Sequence, residues 1–281
     1  MGNAQSNRRS PVSRRAYLKA AGAGSLVGIA GLAGCTVDTN GGGGGGDGDG
    51  ENAIIAGTAP GFPPFELKNE QGELVGFDID LLEAVVAETD YSLSEWREFE
   101  FDSLITALQN DRIDVIAAAM TITPDRRQTI SFTDPYYNAD QSVLVRRGGD
   151  FQPESLDDLS GRRVGAQEGT TGDGVVQDRL VDPGKLDAAD YNAYGNYVLA
   201  VEDLENGNID AVVLDRPVAE TFAQERDVEV AFTVKTGERY GFGVRQNDDS
   251  LRTALNDGLQ AVRESGRYEE IRNEWFGGSP S

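Results

Sequence analysis

The chain contains no histidine and a single cysteine, Cys35. Without histidine the commonest general acid–base group is missing, and one thiol can form neither an intramolecular disulfide nor a cysteine-based zinc site. Bases are scarce: 25 face 48 acids, and only four of them are lysines. A net charge of −23 repels nucleic acid and anionic lipid, which excludes both as partners. Concentrated salt screens such self-repulsion to within a few ångströms, so a halophilic source is expected; full stability at low ionic strength would count against it. Aromatic residues make up 8% of a chain that is 38% apolar, still enough for cores of ordinary size. There is no GxxxxGK[ST] phosphate loop, and no cofactor or metal is expected.

A long hydrophobic run is missing too. The stretch "AAGAGSLVGIAGLAG" is about half the length a spanning helix needs. It follows "SRRAYLK" at residues 13–19, and basic residues before a short apolar run mark an export signal. The pair Arg14 and Arg15 resembles the signal of the pathway that exports folded proteins. "LAGC", residues 32–35, resembles a lipobox, in which the cysteine is lipidated and becomes the new N-terminus. Residues 1–34 are therefore expected to be a twin-arginine lipoprotein signal peptide, with Cys35 tethering the protein to the membrane. Cleavage there removes five bases and no acid, deepening the charge to −28. Residues 35–52, largely glycine and aspartate, read as a flexible tether with nothing to bury.

From Ala53 onward strand-like runs alternate with helical periodicity, which predicts an α/β fold. "AIIAGT" is a short strand. A helix opens at Phe77-Asp78, with Ile79, Leu82 and Val86 on one face and Asp78 as a plausible cap; Asp78 and Asp80 are assigned to the helix start. "FDSLITALQND" spaces Phe101, Leu104, Ile105 and Leu108 as an amphipathic helix. "IDVIAAAM" is apolar enough for a strand buried on both faces. "RRVGAQ", a helix after "GTTGDG", another at 197–205 and "IDAVVLD" continue the alternation. The segment from Phe101 to Met120 matches the segment from Tyr197 to Arg216 at a constant offset of 96. Leu108 meets Leu204, Asn110 meets Asn206, and Ile113-Asp114 meets Ile209-Asp210, so Asp114 and Asp210 read as structural strand starts. A shared topology in two lobes would bring the strand ends Ala118–Thr121 and Leu214–Arg216 to one gap, where ligands of open α/β sheets sit.

The fragments "GFPPFE", "GFDIDL", "FDSLITALQ", "MTITPDR", "FTDPYY", "VGAQEGTTG", "IDAVVLD" and "YEEIRNEWFG", in this order, resemble the extracellular solute-binding proteins of polar amino acid ABC importers, the family 3 glutamine- and histidine-binding group. The resemblance runs from about Ile54 to Gly277. It implies a two-lobed periplasmic-binding-protein-like fold of type II, each lobe a mostly parallel sheet flanked by helices. Lobe 1 would comprise residues 53–137 and 239–281 and lobe 2 residues 138–238, with hinges near Tyr136–Asp140 and Thr236–Tyr240. Binding a zwitterion between lobes needs donors for its carboxylate and acceptors for its ammonium. Arg126 suits the carboxylate through parallel charge-assisted bonds, aided by Thr121 through its N–H and hydroxyl. The family pattern adds Thr170 and Thr171, which taken alone could equally cap a helix. Asp215 matches the family's ammonium-binding aspartate, with the carbonyl of Ala119 beside it.

Phe62 and Phe101 match the aromatic walls around the ligand side chain. Where the glutamine-binding relatives carry an aspartate and a lysine, this chain has Ala59 and Gln167, and Leu214 precedes Asp215. The pocket so drawn favours a neutral polar side chain, unless Glu66, Glu168 or Asp173 reaches in. The resemblance implies a non-enzymatic, lipid-anchored, monomeric receptor on the outer face of the membrane that delivers a free amino acid to an ABC permease. Two alternatives share the fold: a cyclohexadienyl dehydratase-like enzyme, for which Glu168 would be the acid–base candidate, and the ligand-sensing subunit of a receptor.

Overall fold

A computed structural model describes residues 52–277. Arg14 and Arg15, Cys35 and the glycine-rich tether lie outside the described residues. In chain order the elements are β1 (Ala53–Thr58), β2 (Leu67–Lys68), β3 (Leu74–Val75), α1 (Phe77–Ala87), β4 (Ser92–Glu98), α2 (Leu104–Gln109), β5 (Val115–Ile116), β6 (Ser131–Phe132) and β7 (Tyr137–Arg146). There follow β8 (Val164–Gln167), α3 (Thr171–Val176), β9 (Tyr191–Tyr194), α4 (Tyr197–Glu205), β10 (Ala211–Asp215), α5 (Arg216–Glu225), β11 (Val228–Tyr240), β12 (Gly243–Val244), α6 (Asp249–Glu264) and α7 (Arg267–Phe276).

Ten strands build two five-stranded sheets, ordered β4-β1-β5-β12-β6 and β11-β7-β10-β8-β9, and β2 pairs with β3 in a small hairpin. Read from the other edge, the second sheet repeats the first: three parallel strands, a fourth that runs against them, and a fifth antiparallel to the fourth. Each sheet is thus mixed, with four of its five strands running one way and β12 or β7 against them. The physical reason lies at the crossing between sheets, where β7 and β11 pair antiparallel from Tyr137↔Tyr240 to Ala139↔Glu238. Chain that leaves one sheet and returns to it must come back in the opposite direction.

The repeat at offset 96 is structural. Asp114 accepts a bond from the Ile55 N–H at 2.8 Å, and Asp210 one from the Arg163 N–H at 3.0 Å. Each aspartate also pairs with an arginine at 2.8 Å, Arg245 and Arg163 respectively. Each therefore stitches the start of a central strand to its parallel neighbour. Of the expected elements, α4 spans residues 197–205. "IDVIAAAM" departs from expectation: residues 115–120 are all buried, but only Val115 and Ile116 lie in a strand. The backbone then breaks into a left-handed conformation at Ala119, φ +43°.

The entry to α1 explains a second departure. Its first N–H groups are taken by backbone: Phe77 donates to the Pro64 carbonyl at 2.9 Å and Asp78 to that of Phe65 at 3.0 Å. The capping position falls to Gly76, and only glycine fits there, since a Cβ would lie 2.0 Å from the Phe65 oxygen. Asp78 is accordingly not the cap. Its side chain is instead buried, on the same helix face as Leu81, Leu82 and Val85.

Candidate functional site

Between the two sheets lies a narrow, partly closed cavity, lined by Ala59, Phe62, Glu66, Phe101, Ala118 and Ala119 on one side. Thr121 and Arg126 complete that side, and Gln167, Thr170, Thr171 and Asp215 form the other. Eleven of the twelve residues expected from sequence fall on residues the structure describes, and ten of them line this one space. The exception is Leu214. It is fully buried in the core beside Leu144 and Val218, because successive strand residues face opposite ways and Asp215 takes the cleft side.

Arg126 occupies a short 3₁₀ turn after Thr121. It is half-buried whereas the adjacent Arg127 is exposed, which sets it apart from a solvated pair. Its Nη1 donates to the Thr121 carbonyl at 2.8 Å and its Nη2 to the Gly169 carbonyl, from the other sheet, at 2.9 Å. The guanidinium carbon lies 5.2 Å from the Phe101 ring centre, a cation–π contact. Burial depresses its pKa, while Asp215 and Glu238 act in the opposite sense. The other guanidinium N–H groups remain for a ligand.

Asp215 ends β10 at the cap position of α5 but makes no side-chain capping bond. Its Oδ1 instead accepts the Tyr240 hydroxyl at 2.5 Å. Asp78 does the matching job below the first sheet, its Oδ2 accepting the Tyr136 hydroxyl at 2.5 Å and the Ala119 N–H at 2.6 Å. That bond holds the left-handed turn from which Ala119 and Thr121 face the cavity. Burial pushes the Asp78 and Asp215 carboxyls each up to about 7, with the Glu238 charge adding to the shift at Asp215.

Glu66 alters the character of the pocket. It is 1% exposed, and its Oε2 has no partner among the described residues. Burial foremost, then the charges of Asp78 and Asp215, raises its pKa well above the ordinary carboxylate range. The tight turn that presents it pairs Phe62 and Glu66 both ways, at 3.0 and 3.2 Å. The other acids weighed from sequence do not line the cavity: Glu168 is exposed, and Asp173 accepts from Gly169 N–H and the Tyr191 hydroxyl. The neutral pocket expected from Ala59 and Gln167 therefore contains an acid after all. Gln167 itself is buried and donates to the Gly195 carbonyl at 3.0 Å.

The Thr121 hydroxyl, expected on the ligand carboxylate, is engaged elsewhere, and so are those of Thr170 and Thr171. Thr170 is a helix cap: its hydroxyl accepts from Asp173 N–H at 3.2 Å and donates to the Gln167 carbonyl at 2.7 Å. The Thr121 and Thr171 hydroxyls both donate to Glu238, at 2.7 and 2.5 Å. None of the three has a side-chain proton left for a carboxylate, and the Thr170 N–H is bonded to the Gln167 carbonyl at 3.3 Å, so any donation falls to the N–H groups of Thr121 and Thr171. Glu238 was not legible as a site residue, although Val234, Thr236, Glu238 and Tyr240 form the inward face of β11 at a period of two.

Two lobes of one topology, hinged by paired strands and closing on a cavity with an arginine on one wall and an aspartate on the other, define a type II two-lobed binding protein. The profile of the bacterial extracellular solute-binding proteins, family 3, matches residues 54–278, and the chain belongs to that family. It is 36% identical over 220 residues to the probable histidine-binding protein of Neisseria gonorrhoeae, covering 76% of this chain and 80% of that one. It is 34% identical over 225 residues to the putative ABC transporter arginine-binding protein 2 of Escherichia coli K12, covering 78% and 88%. Among solved structures, an ancestral arginine-binding protein bound to arginine aligns with a TM-score of 0.75 at 34% identity, over 80% of this chain and 99% of that one.

Proposed function

We propose that the protein is an extracytoplasmic receptor that closes its two lobes on one free amino acid with a cationic side chain, arginine foremost, and presents the closed form to an ABC permease. The observation that carries this reading is the pairing of Arg126 and Asp215 across a single cavity whose lining also includes Glu66, with its unpartnered oxygen. Arg126 takes the ligand carboxylate, helped by backbone N–H groups at Thr121 and Thr171, while Thr170, whose N–H is bonded to the Gln167 carbonyl, caps the helix behind them. Asp215 and the Ala119 carbonyl take the ammonium. Phe62 and Phe101 flank the side chain and Glu66 meets its charge. An unpaired buried carboxylate is costly, and a guanidinium satisfies it with paired bonds. The names of the relatives support the same class of ligand. Because donors come from both lobes, ligand favours closure by its differential affinity for the closed state.

Thermal denaturation against the twenty amino acids tests this. A ligand at a hundred times its Kd stabilises by about 2.7 kcal/mol; arginine, lysine or histidine should give the largest shift. A larger shift with neutral or acidic amino acids, or none at all, defeats the reading.

Membrane attachment through a lipid on Cys35 belongs to the same proposal and rests on the "LAGC" motif and the signal before it. Cys35→Ala should move the protein from the membrane to the soluble fraction, and mass spectrometry of the mature wild-type N-terminus should show the acyl chains. An unmodified Cys35 would remove the anchor.

A further inference from the structure

Glu238 sits in the hinge strand β11, buried, with every oxygen contact made by a donor. Its Oε2 receives the hydroxyls of Thr121 from one lobe and Thr171 from the other. Its Oε1 receives Gln141 Nε2 at 3.0 Å and the Thr236 hydroxyl at 2.8 Å. The same Gln141 nitrogen also donates to the Thr171 hydroxyl at 3.1 Å. A hydroxyl has one proton and lone pairs to spare. With that proton spent on Glu238, the Thr121 and Thr171 side chains can offer the cavity only acceptors. They line the same space as Asp215, and Glu238 adds its negative field there, as its effect on Asp215 shows.

We propose that Glu238 is the positioning residue for amine selectivity: by fixing the Thr121 and Thr171 hydroxyls as acceptors, it makes the α-end of the cleft accept a protonated amine and reject the 2-hydroxy acid bearing the same side chain. This rests on the reading of the cleft as an amino acid site. An ammonium carries N–H donors only and satisfies all the acceptors it meets. A hydroxyl brings one proton, so at least one buried acceptor goes unpaired, and its lone pairs face carboxylate charge. The side-chain wall plays no part, so the device applies to any amino acid the pocket admits.

The test uses the full-length mature protein and calorimetry with L-arginine and L-glutamine, each beside its 2-hydroxy analogue. A wild type that binds neither amino acid overturns the site reading and this inference together; binding of glutamine alone overturns only the cationic side-chain assignment. Given binding, Glu238→Gln should lower the preference for the amino acid over the hydroxy acid by roughly tenfold or more, the scale of one charge-assisted hydrogen bond. The amide can donate to a threonine, which turns that hydroxyl's proton into the cleft. Equal weakening of both ligands, or an unchanged ratio, overturns the role. Thr121→Val provides the same readout should Glu238→Gln fail to fold. Loss of an acceptor penalises the amino acid by about tenfold more than the hydroxy acid, whereas loss of a carboxylate donor would penalise both alike and sink the proposal.

Discussion

Arg126→Ala should weaken arginine binding by roughly 2–5 kcal/mol, the scale for truncating one member of a buried charge pair, or about 30-fold to several-thousand-fold in Kd. The guanidinium is placed by a carbonyl from each sheet, Thr121 and Gly169, and by the Phe101 ring. Removing it leaves a ligand carboxylate in a cavity whose other charged groups, Asp215 and Glu66, are acids. Repulsion then replaces attraction, which places the effect toward the upper end. Folding should survive, because Arg126 lies on a half-buried surface turn outside the hydrophobic core. Calorimetry on the folded variant decides the matter; an affinity equal to wild type refutes the assignment.

The second large effect is a dependence on pH whose sign differs between stability and binding. In the ligand-free protein Asp78 and Asp215 titrate at about 7, against an ordinary 3.8, and Glu66 is raised as well. Acids whose folded pKa is raised bind protons more tightly in the folded state, so the ligand-free protein gains stability as pH falls from above 7 toward 4 and loses it as pH rises through that window. A cationic ligand requires the opposite protonation. Its ammonium and guanidinium stabilise ionised Asp215 and Glu66, so protons leave on binding and acid competes with ligand. With Asp215 alone, affinity should fall by up to about tenfold per pH unit well below 7, or about 50-fold from pH 7 to 5. Titrations in buffers of different ionisation heat should register the released protons near pH 6. An affinity flat from pH 5 to 8 would show that neither acid is ionised by the ligand. Glu66→Gln separates the two groups: it should cost arginine roughly 2–5 kcal/mol while leaving the binding of a neutral amino acid nearly untouched.

Much of the architecture was legible because the physics of its elements is local. The α4 helix declares itself through Tyr197, Ala200, Val201 and Leu204 on one buried face, and the repeat at offset 96 carries the strand-starting aspartates into both lobes. Where expectation failed, the cause lay outside the local window. Asp78 read as a cap because a carboxylate at a helix start normally is one; the carbonyls of Pro64 and Phe65, reaching over Gly76, had already taken that role. Leu214 read as a pocket residue because it adjoins Asp215, and the alternation of strand side chains puts it on the other face.

The residue types at each cleft position and the duplicated helix–turn–strand unit were determined by the amino-acid order itself, since composition and short-range periodicity set which segments become buried and which become polar turns. The direction of each hydroxyl proton, the presence of Glu66 in the pocket and the place of Glu238 beneath both threonines were decided only by tertiary structure. A hydrogen bond between residues 117 positions apart, as between Thr121 and Glu238, depends on how two sheets meet, and no local pattern encodes which buried donor will find which acceptor.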